Sequence, residues 1–164
     1  MKKTLAIFID LLFIATFVYA AQDRSLPNPD LTPGVILNAT KEDVCTSGYS
    51  KSVRNVPQSE KRQVYKEYNM QPNELPCPCE VDHLVSLELG GSNDIKNLWS
   101  QPYTGKWNAY MKDRLENWLH KQVCEGNMSL QEAQDAIRND WTKAYVKYGI
   151  GKTGNKGYIV KIVH

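Results

Sequence analysis

Asp82 and His83 are adjacent polar side chains between Val81 and Leu84, and their types suit hydrolytic chemistry. A neutral imidazole, with an ordinary pKa of about 6.5, can take a proton from water near neutral pH. The carboxylate of Asp82 and the amide oxygen of Asn108 are hard ligands, which suit Mg²⁺ or Mn²⁺. These residues suit hydrolysis of a phosphodiester, in which water is deprotonated and charge on the phosphate is neutralised.

The segment from Glu80 to Leu89 is predicted to be a strand running into a loop, bounded by Pro78 and Gly90-Gly91. Neighbouring side chains on a strand point to opposite faces of the sheet. Asp82 and His83 can therefore serve one site only if the chain bends at the strand end, or if the site lies across the strand edge.

Helical and turn patterns predict the elements that surround this strand. Gly90-Gly91-Ser92-Asn93-Asp94 is a strong turn signal, and Ser129 with Glu132 forms a capping box that opens a helix. The predicted elements are a helix over 57–69 with Val64, Tyr65 and Tyr68 on its inner side, a short strand over 95–99, a helix over 106–123, a helix from 130 to about 148, and a late strand or ordered tail over 158–163.

The order Asp82-His83, Gly90-Gly91, Asn97-Leu98 and Asn108 resembles the HNH endonuclease family. The ββα-metal motif of that family has Asp-His, a glycine-containing turn, Asn-Leu, and then Asn or His on a helix. The resemblance directly covers residues 80–112, and the segments 44–50 and 130–137 are also similar to small bacterial nucleases of this type. It implies an α+β fold in which the ββα-metal motif, at about 79–123, lies within a mostly helical single domain.

The resemblance also implies a role for each motif residue. His83 would be the general base, while Asp82 and Asn108 would bind one divalent metal, Mg²⁺ or Mn²⁺. Asn97 would hold the loop by side-chain hydrogen bonds to the backbone and so aim His83. The implied activity is metal-dependent endonuclease cleavage of nucleic acid, with DNA favoured over RNA and a 5′-phosphate as the usual product.

Two features depart from the family pattern. The last motif position is Asn108 rather than histidine, which favours hard metals over zinc. The paired Cys-x-x-Cys knuckles of many members are missing, so a disulfide or plain packing must support the motif.

Several of these residues also have simpler structural explanations. Asp82 could be a capping or ion-pair carboxylate, and Asn108 could cap a helix. Glu80 could be an outer carboxylate near the metal or a solvated strand residue. Four basic side chains could contact nucleic-acid phosphates or could simply form the solvent-exposed face of a helix. They are Lys96, Lys106, Lys112 and Arg114. Trp99, Trp107 and Trp118 could stack on bases, but helical spacing favours a core position for the last two.

The N-terminus is predicted to be a signal peptide over residues 1–20, because Lys2 and Lys3 precede an apolar stretch that ends at Val18-Tyr19-Ala20. A retained membrane anchor is the alternative. The chain has 20 basic and 18 acidic side chains, and removal of Lys2, Lys3 and Asp10 leaves a net charge of +1. No large global field would then attract nucleic acid. The mature protein would be periplasmic or secreted, without a stable membrane span.

Four cysteines follow the predicted signal peptide, as is typical of disulfide-bonded proteins. Cys77 and Cys79 are separated by one residue, so a bridge between them would form a strained ring. The sequence favours Cys45–Cys124 as a structural disulfide. Residues 21–56 are predicted to form an extended segment that packs on a nuclease core over 57–164.

A second class of function stays open. The chain could be a non-catalytic secreted nucleic-acid-binding module that keeps the ββα scaffold. A nuclease deployed against other cells would in addition need an immunity or inhibitor protein as partner.

Overall fold

The computed structural model describes residues 24–70 and 77–150, and within them the fold mixes helix and strand. It confirms the α+β class at that level. The helices are α1 (Lys41–Val44), α2 (Tyr49–Val53), α3 (Gln58–Glu67), α4 (Ala109–Cys124) and α5 (Leu130–Lys147), and the strands are β1 (Cys79–His83) and β2 (Leu98–Pro102). The predicted signal peptide and the predicted late strand lie outside the described residues.

Strands β1 and β2 form an antiparallel sheet in which Cys79 pairs with Pro102 and His83 pairs with Leu98. The second strand begins three residues later than predicted. Asp94 accepts a hydrogen bond from the Lys96 amide and so caps a short 3₁₀ helix, which occupies the start of the predicted strand. Strand β1 ends at His83, and the rest of the predicted first strand is a bend followed by a 3₁₀ helix over Leu87–Leu89.

Helices α4 and α5 pack against each other and supply most of the larger hydrophobic core, which includes Leu115, Leu119, Ile137 and Trp141. Their apolar residues recur at helical spacing, as predicted. The capping box of Ser129 and Glu132 is confirmed at the start of α5. This helix bends at Asp140, which has extended backbone angles.

A smaller apolar cluster joins α3 to the sheet and contains Val64, Tyr68, Leu98 and Trp99. The inner positions predicted for Val64 and Tyr68 are confirmed, while Tyr65 is only partly buried. Both strands therefore contact α3, and β1 also contacts α4. This arrangement fixes the end of β1, where Asp82 and His83 lie.

Two disulfides are present among the described residues. Cys45–Cys124 is confirmed, and it joins the N-terminal segment to the end of α4 across 79 residues. Cys77 and Cys79 also form a disulfide, with their Cα atoms 5.1 Å apart, although the sequence predicts a strained ring for this pairing. The N-terminal segment is also less extended than predicted, since it contains α1 and α2.

In the described part of the chain, none of the helices combines the length and apolar character needed to cross a bilayer.

Candidate active site

Asp82 and His83, the last two residues of β1, contact different neighbours. The Asp82 carboxylate accepts a hydrogen bond from the Lys112 ammonium at 2.7 Å, whereas His83 Nε2 lies 3.2 Å from the side-chain oxygen of Asn93. The two side chains therefore diverge, as alternation along a strand requires. The chain bends directly after His83, so both groups lie at the same end of the sheet.

Asn97 holds the bend after His83 by three hydrogen bonds to backbone. Its side-chain oxygen accepts from the Val85 amide at 2.9 Å, and its amide donates to the carbonyl oxygens of Val85 and Ser92 at 2.9 and 2.8 Å. Asn97 is fully buried, so each bond replaces one that water would make. These are hydrogen bonds of the kind that the family resemblance implies for Asn97, while their effect on catalysis stays a prediction.

Gly91 is required at this bend because the backbone of another segment passes very close. A Cβ atom at position 91 would lie 1.8 Å from the carbonyl oxygen of Val85. Gly90 adopts a positive φ of 76°, which a residue with a side chain rarely adopts. The pair of glycines in the motif thus has a steric cause that the turn signal alone does not reveal.

Asn93 orients the imidazole of His83, and the sequence analysis gave it no role beyond the turn. The Asn93 side-chain amide donates to the Val53 carbonyl at 2.7 Å, and its oxygen also accepts from the Asn55 amide at 3.2 Å. This network assigns the imidazole proton to Nε2, which leaves Nδ1 as the basic nitrogen. Nδ1 makes no hydrogen bond to any described residue.

His83 is only 4% exposed, and its environment favours the neutral ring. Burial lowers the pKa of His83 below 6.5, although Asp82 and the hydrogen bond to Asn93 oppose the shift; Arg54 and Lys112 lower it further. A neutral imidazole is the form that can accept a proton.

Lys112 is fully buried, which differs from the solvent-facing position needed for a phosphate contact. Its ammonium donates to Asp82, to the His83 carbonyl at 2.6 Å, and to Glu116 one turn later on α4. Burial disfavours its charge, but Asp82 and Glu116 together raise the pKa of Lys112 above its ordinary value. All three donors of the ammonium are used, so phosphate binding by Lys112 would require these bonds to open.

Asn108 is the N-cap of α4. Its side-chain oxygen accepts from the Met111 amide at 3.2 Å, and its amide donates to the Gly105 carbonyl at 3.0 Å. The capping alternative is therefore what the structure shows, and a metal contact by Asn108 stays a prediction. The partner that α4 brings to Asp82 is Lys112.

An acidic cleft opens beside the buried ammonium. We define it by the residues Arg54, Ser86, Glu88, Asp113, Glu116 and Asn117. Burial raises the pKa of Glu88, Asp113 and Glu116, and Lys112 opposes the shift in each case. These acidic residues were not singled out from the sequence, because isolated charged residues are usually solvated.

Glu80 lies on the same strand as Asp82, and its carboxylate accepts from the Tyr103 hydroxyl at 3.1 Å. Burial raises the pKa of Glu80, as does the nearby charge of Asp82. Glu80 is thus a half-buried, bonded carboxylate rather than a freely solvated one.

The other basic residues predicted to contact nucleic acid lie at the surface. Lys96, Lys106 and Arg114 are exposed, and the Lys106 ammonium lies 5.5 Å from the ring centre of Trp107. Trp99 is fully buried, and Trp107 packs edge-on against Trp141. Trp107 and Trp118, for which helical spacing favours core positions, are both partly buried and packed against the larger core.

A Cys-His-Cys group lies at the far end of α4, where ligand atoms of Cys45, His120 and Cys124 lie within 4.8 Å of one another. The two sulfurs form the disulfide, and His120 Nε2 lies 2.9 Å from the Val44 carbonyl oxygen. Metal binding here would require reduction of that disulfide.

Comparisons with protein-family models, with curated proteins and with solved structures find no match to this chain.

Proposed function

We propose that this protein is a metal-dependent endonuclease of the HNH type, periplasmic or secreted, which hydrolyses phosphodiester bonds in nucleic acid. The observation that carries the proposal is the buried imidazole of His83, kept neutral by burial and oriented by Asn93 beside Asp82. Two antiparallel strands followed by α4, with Asn97 and the glycines between them, support a ββα arrangement.

His83 Nδ1 would accept a proton from the attacking water. Asn93 fixes the ring by accepting from Nε2–H, and Asn97 fixes the backbone that follows. Asp82 favours the imidazolium that forms, since its negative charge raises the pKa of His83 against the effect of burial. The base is thus neutral before the reaction and has a carboxylate nearby when it becomes charged.

A divalent metal would supply charge neutralisation at the phosphate and stabilise the leaving oxygen. The predicted ligands Asp82 and Asn108 do not form an open pair here, because Lys112 holds the first and the second caps α4. Carboxylates nevertheless surround the site, and their hard oxygens suit Mg²⁺ or Mn²⁺. Metal dependence therefore belongs to the proposal, while the position of the metal needs a separate argument.

DNA is the proposed substrate in preference to RNA, and Lys96, Lys106 and Arg114 are the exposed cations available for phosphate contacts. The near-neutral predicted charge of the mature chain fits a nuclease that relies on local contacts. An inhibitor protein would be a partner only if the enzyme acts against other cells.

Incubation of the purified protein with supercoiled plasmid tests the proposal. We expect nicked plasmid with Mg²⁺ or Mn²⁺ and intact plasmid with EDTA. A non-catalytic binding module would instead retard the plasmid on a gel without cutting it. Absence of cleavage with either metal, on both DNA and RNA, would contradict the proposed function.

A further inference from the structure

Two oxygen atoms in the acidic cleft lack hydrogen-bond partners among the described residues. They are the hydroxyl oxygen of Ser86, a residue only 6% exposed, and Oε1 of Glu88. Both side chains line the cleft. A buried polar oxygen without a partner is costly, and for a carboxylate oxygen the natural partner is a cation or its bound water.

The charge of the cleft points the same way. Glu88, Asp113 and Glu116 line it, while Arg54 is the cation among its lining residues. The ammonium of Lys112 is already shared between Asp82 and Glu116. The negative charges of Asp113 and Glu88 act on one another, as do those of Glu88 and Glu116. The cleft therefore holds more negative charge than its own cations compensate.

The geometry limits the kind of cation. Within the described residues, the one group of three acidic, histidine or cysteine ligands that lie within 4.8 Å of one another is the Cys-His-Cys group. The carboxylates of the cleft are thus not a closed cage of the kind that strips an ion of its water. Mg²⁺ keeps several waters and commonly binds through one or two carboxylates, which suits an open cleft.

We propose that the acidic cleft binds one hydrated divalent cation of the Mg²⁺ or Mn²⁺ class, through Glu88 and Ser86, with Glu116 completing the oxygen set. This position differs from the Asp82–Asn108 pair that the motif predicts. Lys112 then separates the ion from Asp82 and acts as a fixed second cation beside it. The proposal that the ion binds depends only on the cleft, whereas the use of the ion in hydrolysis rests on the proposed function.

Binding of Mn²⁺, measured by the loss of the free-ion electron paramagnetic resonance signal without nucleic acid, tests this site. We expect Glu88→Gln to weaken Mn²⁺ binding about tenfold or more, and Ser86→Ala to weaken it less. Glu125→Gln is the matched control, because Glu125 is an exposed glutamate at the far end of α4. Its affinity for Mn²⁺ should equal that of the wild type.

Thermal unfolding in EDTA gives a second readout. Glu88→Gln is nearly isosteric and removes one of several repelling charges, so it should unfold at the wild-type temperature or higher. A lower unfolding temperature would contradict the excess negative charge. Should Glu88→Gln fail to fold, that result would count against the proposal in the same way, and Ser86→Ala would still report on binding.

Equal Mn²⁺ affinity of Glu88→Gln and wild type would overturn the site, as would the absence of Mn²⁺ binding to the wild type at millimolar concentration. Asn108→Ser keeps a helix cap. If this variant lost Mn²⁺ binding while Glu88→Gln bound normally, the ion would lie at the Asp82–Asn108 pair instead. Plasmid cleavage separates the two proposals. If the wild type cuts plasmid and Glu88→Gln binds Mn²⁺ normally, the proposed cleft site alone is refuted. If the wild type binds Mn²⁺ in the cleft but does not cut plasmid, the proposed nuclease function is refuted.

Discussion

The ammonium of Lys112, on α4, lies 2.7 Å from the Asp82 carboxylate at the end of β1, and it also donates to the backbone carbonyl of His83. A single side chain thus ties the helix to both residues on which the proposed chemistry depends. Because Lys112 is wholly buried, its charge is balanced by Asp82 and Glu116 rather than by water.

Replacement of Lys112 by methionine should lower the free energy of unfolding by about 3–5 kcal/mol, because it leaves the buried Glu116 and the partly buried Asp82 without their cation. Urea denaturation measures the change. Lys121→Met is the matched control on the same helix, since Lys121 is exposed and its ion pair with Glu125 spans 3.7 Å. The control should change stability by no more than about 0.5 kcal/mol. Equal stability of the two variants would show that the buried ammonium contributes nothing.

The pH dependence of cleavage should report the ionisation of His83. Burial lowers the pKa of His83, so the ring is neutral above that lowered pKa and charged below it. Activity should therefore be present near neutral pH and be lost as pH falls through a value below 6.5. Rates of cleavage at subsaturating substrate, measured between pH 4.5 and 8, locate the acid limb of the pH–rate profile, where this loss occurs. An acid limb above 6.5 would contradict the neutral, buried base.

Asn93→Ala should slow cleavage about 10- to 100-fold, because the imidazole loses the group that orients it. It should also move the acid limb to lower pH, since the hydrogen bond to Asn93 raises the pKa of His83. Asn93→Asp keeps the acceptor and adds a negative charge, so its limb should move to higher pH. If Asn93 had only a structural role, both variants would be less stable and the acid limb of the pH–rate profile would not shift.

Gly91→Ala should prevent normal folding or cost more than about 4 kcal/mol, since the added methyl group would overlap the Val85 carbonyl. Gly48→Ala is the comparison, because Gly48 has a positive φ of 83° but open space around its Cβ position. That change should cost about 1–2 kcal/mol. Differential scanning calorimetry of both proteins distinguishes a steric requirement from a conformational one, and similar losses would argue against the close contact.

Much of the architecture was predictable from local patterns. The three long helices follow from apolar spacing and from caps such as the Ser129–Glu132 box, and the favoured Cys45–Cys124 bridge is present. The bridge between Cys77 and Cys79 was not predicted. The start of β2 was not predictable in this way. A single cap by Asp94 converts the first three residues of the predicted strand into a 3₁₀ helix, and β propensity does not register such a competition.

The candidate site was predictable only in its motif residues. The spacing of Lys112 places it on a charged helix, and a charge there normally faces water. Its burial depends on Asp82, which lies 30 residues earlier and reaches it only through the packing of α4 on β1. Asn93 was already accounted for by the turn pattern, and Glu88 lies in a segment predicted to be a strand running into a loop, so neither was given a role.

Replacement of His83 by alanine tests the central claim most directly, with plasmid cleavage in Mg²⁺ or Mn²⁺ as the readout. The account predicts a loss of about 10²- to 10⁴-fold in the cleavage rate with an unchanged circular dichroism spectrum. Gln131→Ala, at an exposed position on α5, is the control and should cut at the wild-type rate. Cleavage by folded His83→Ala at the wild-type rate would contradict the account.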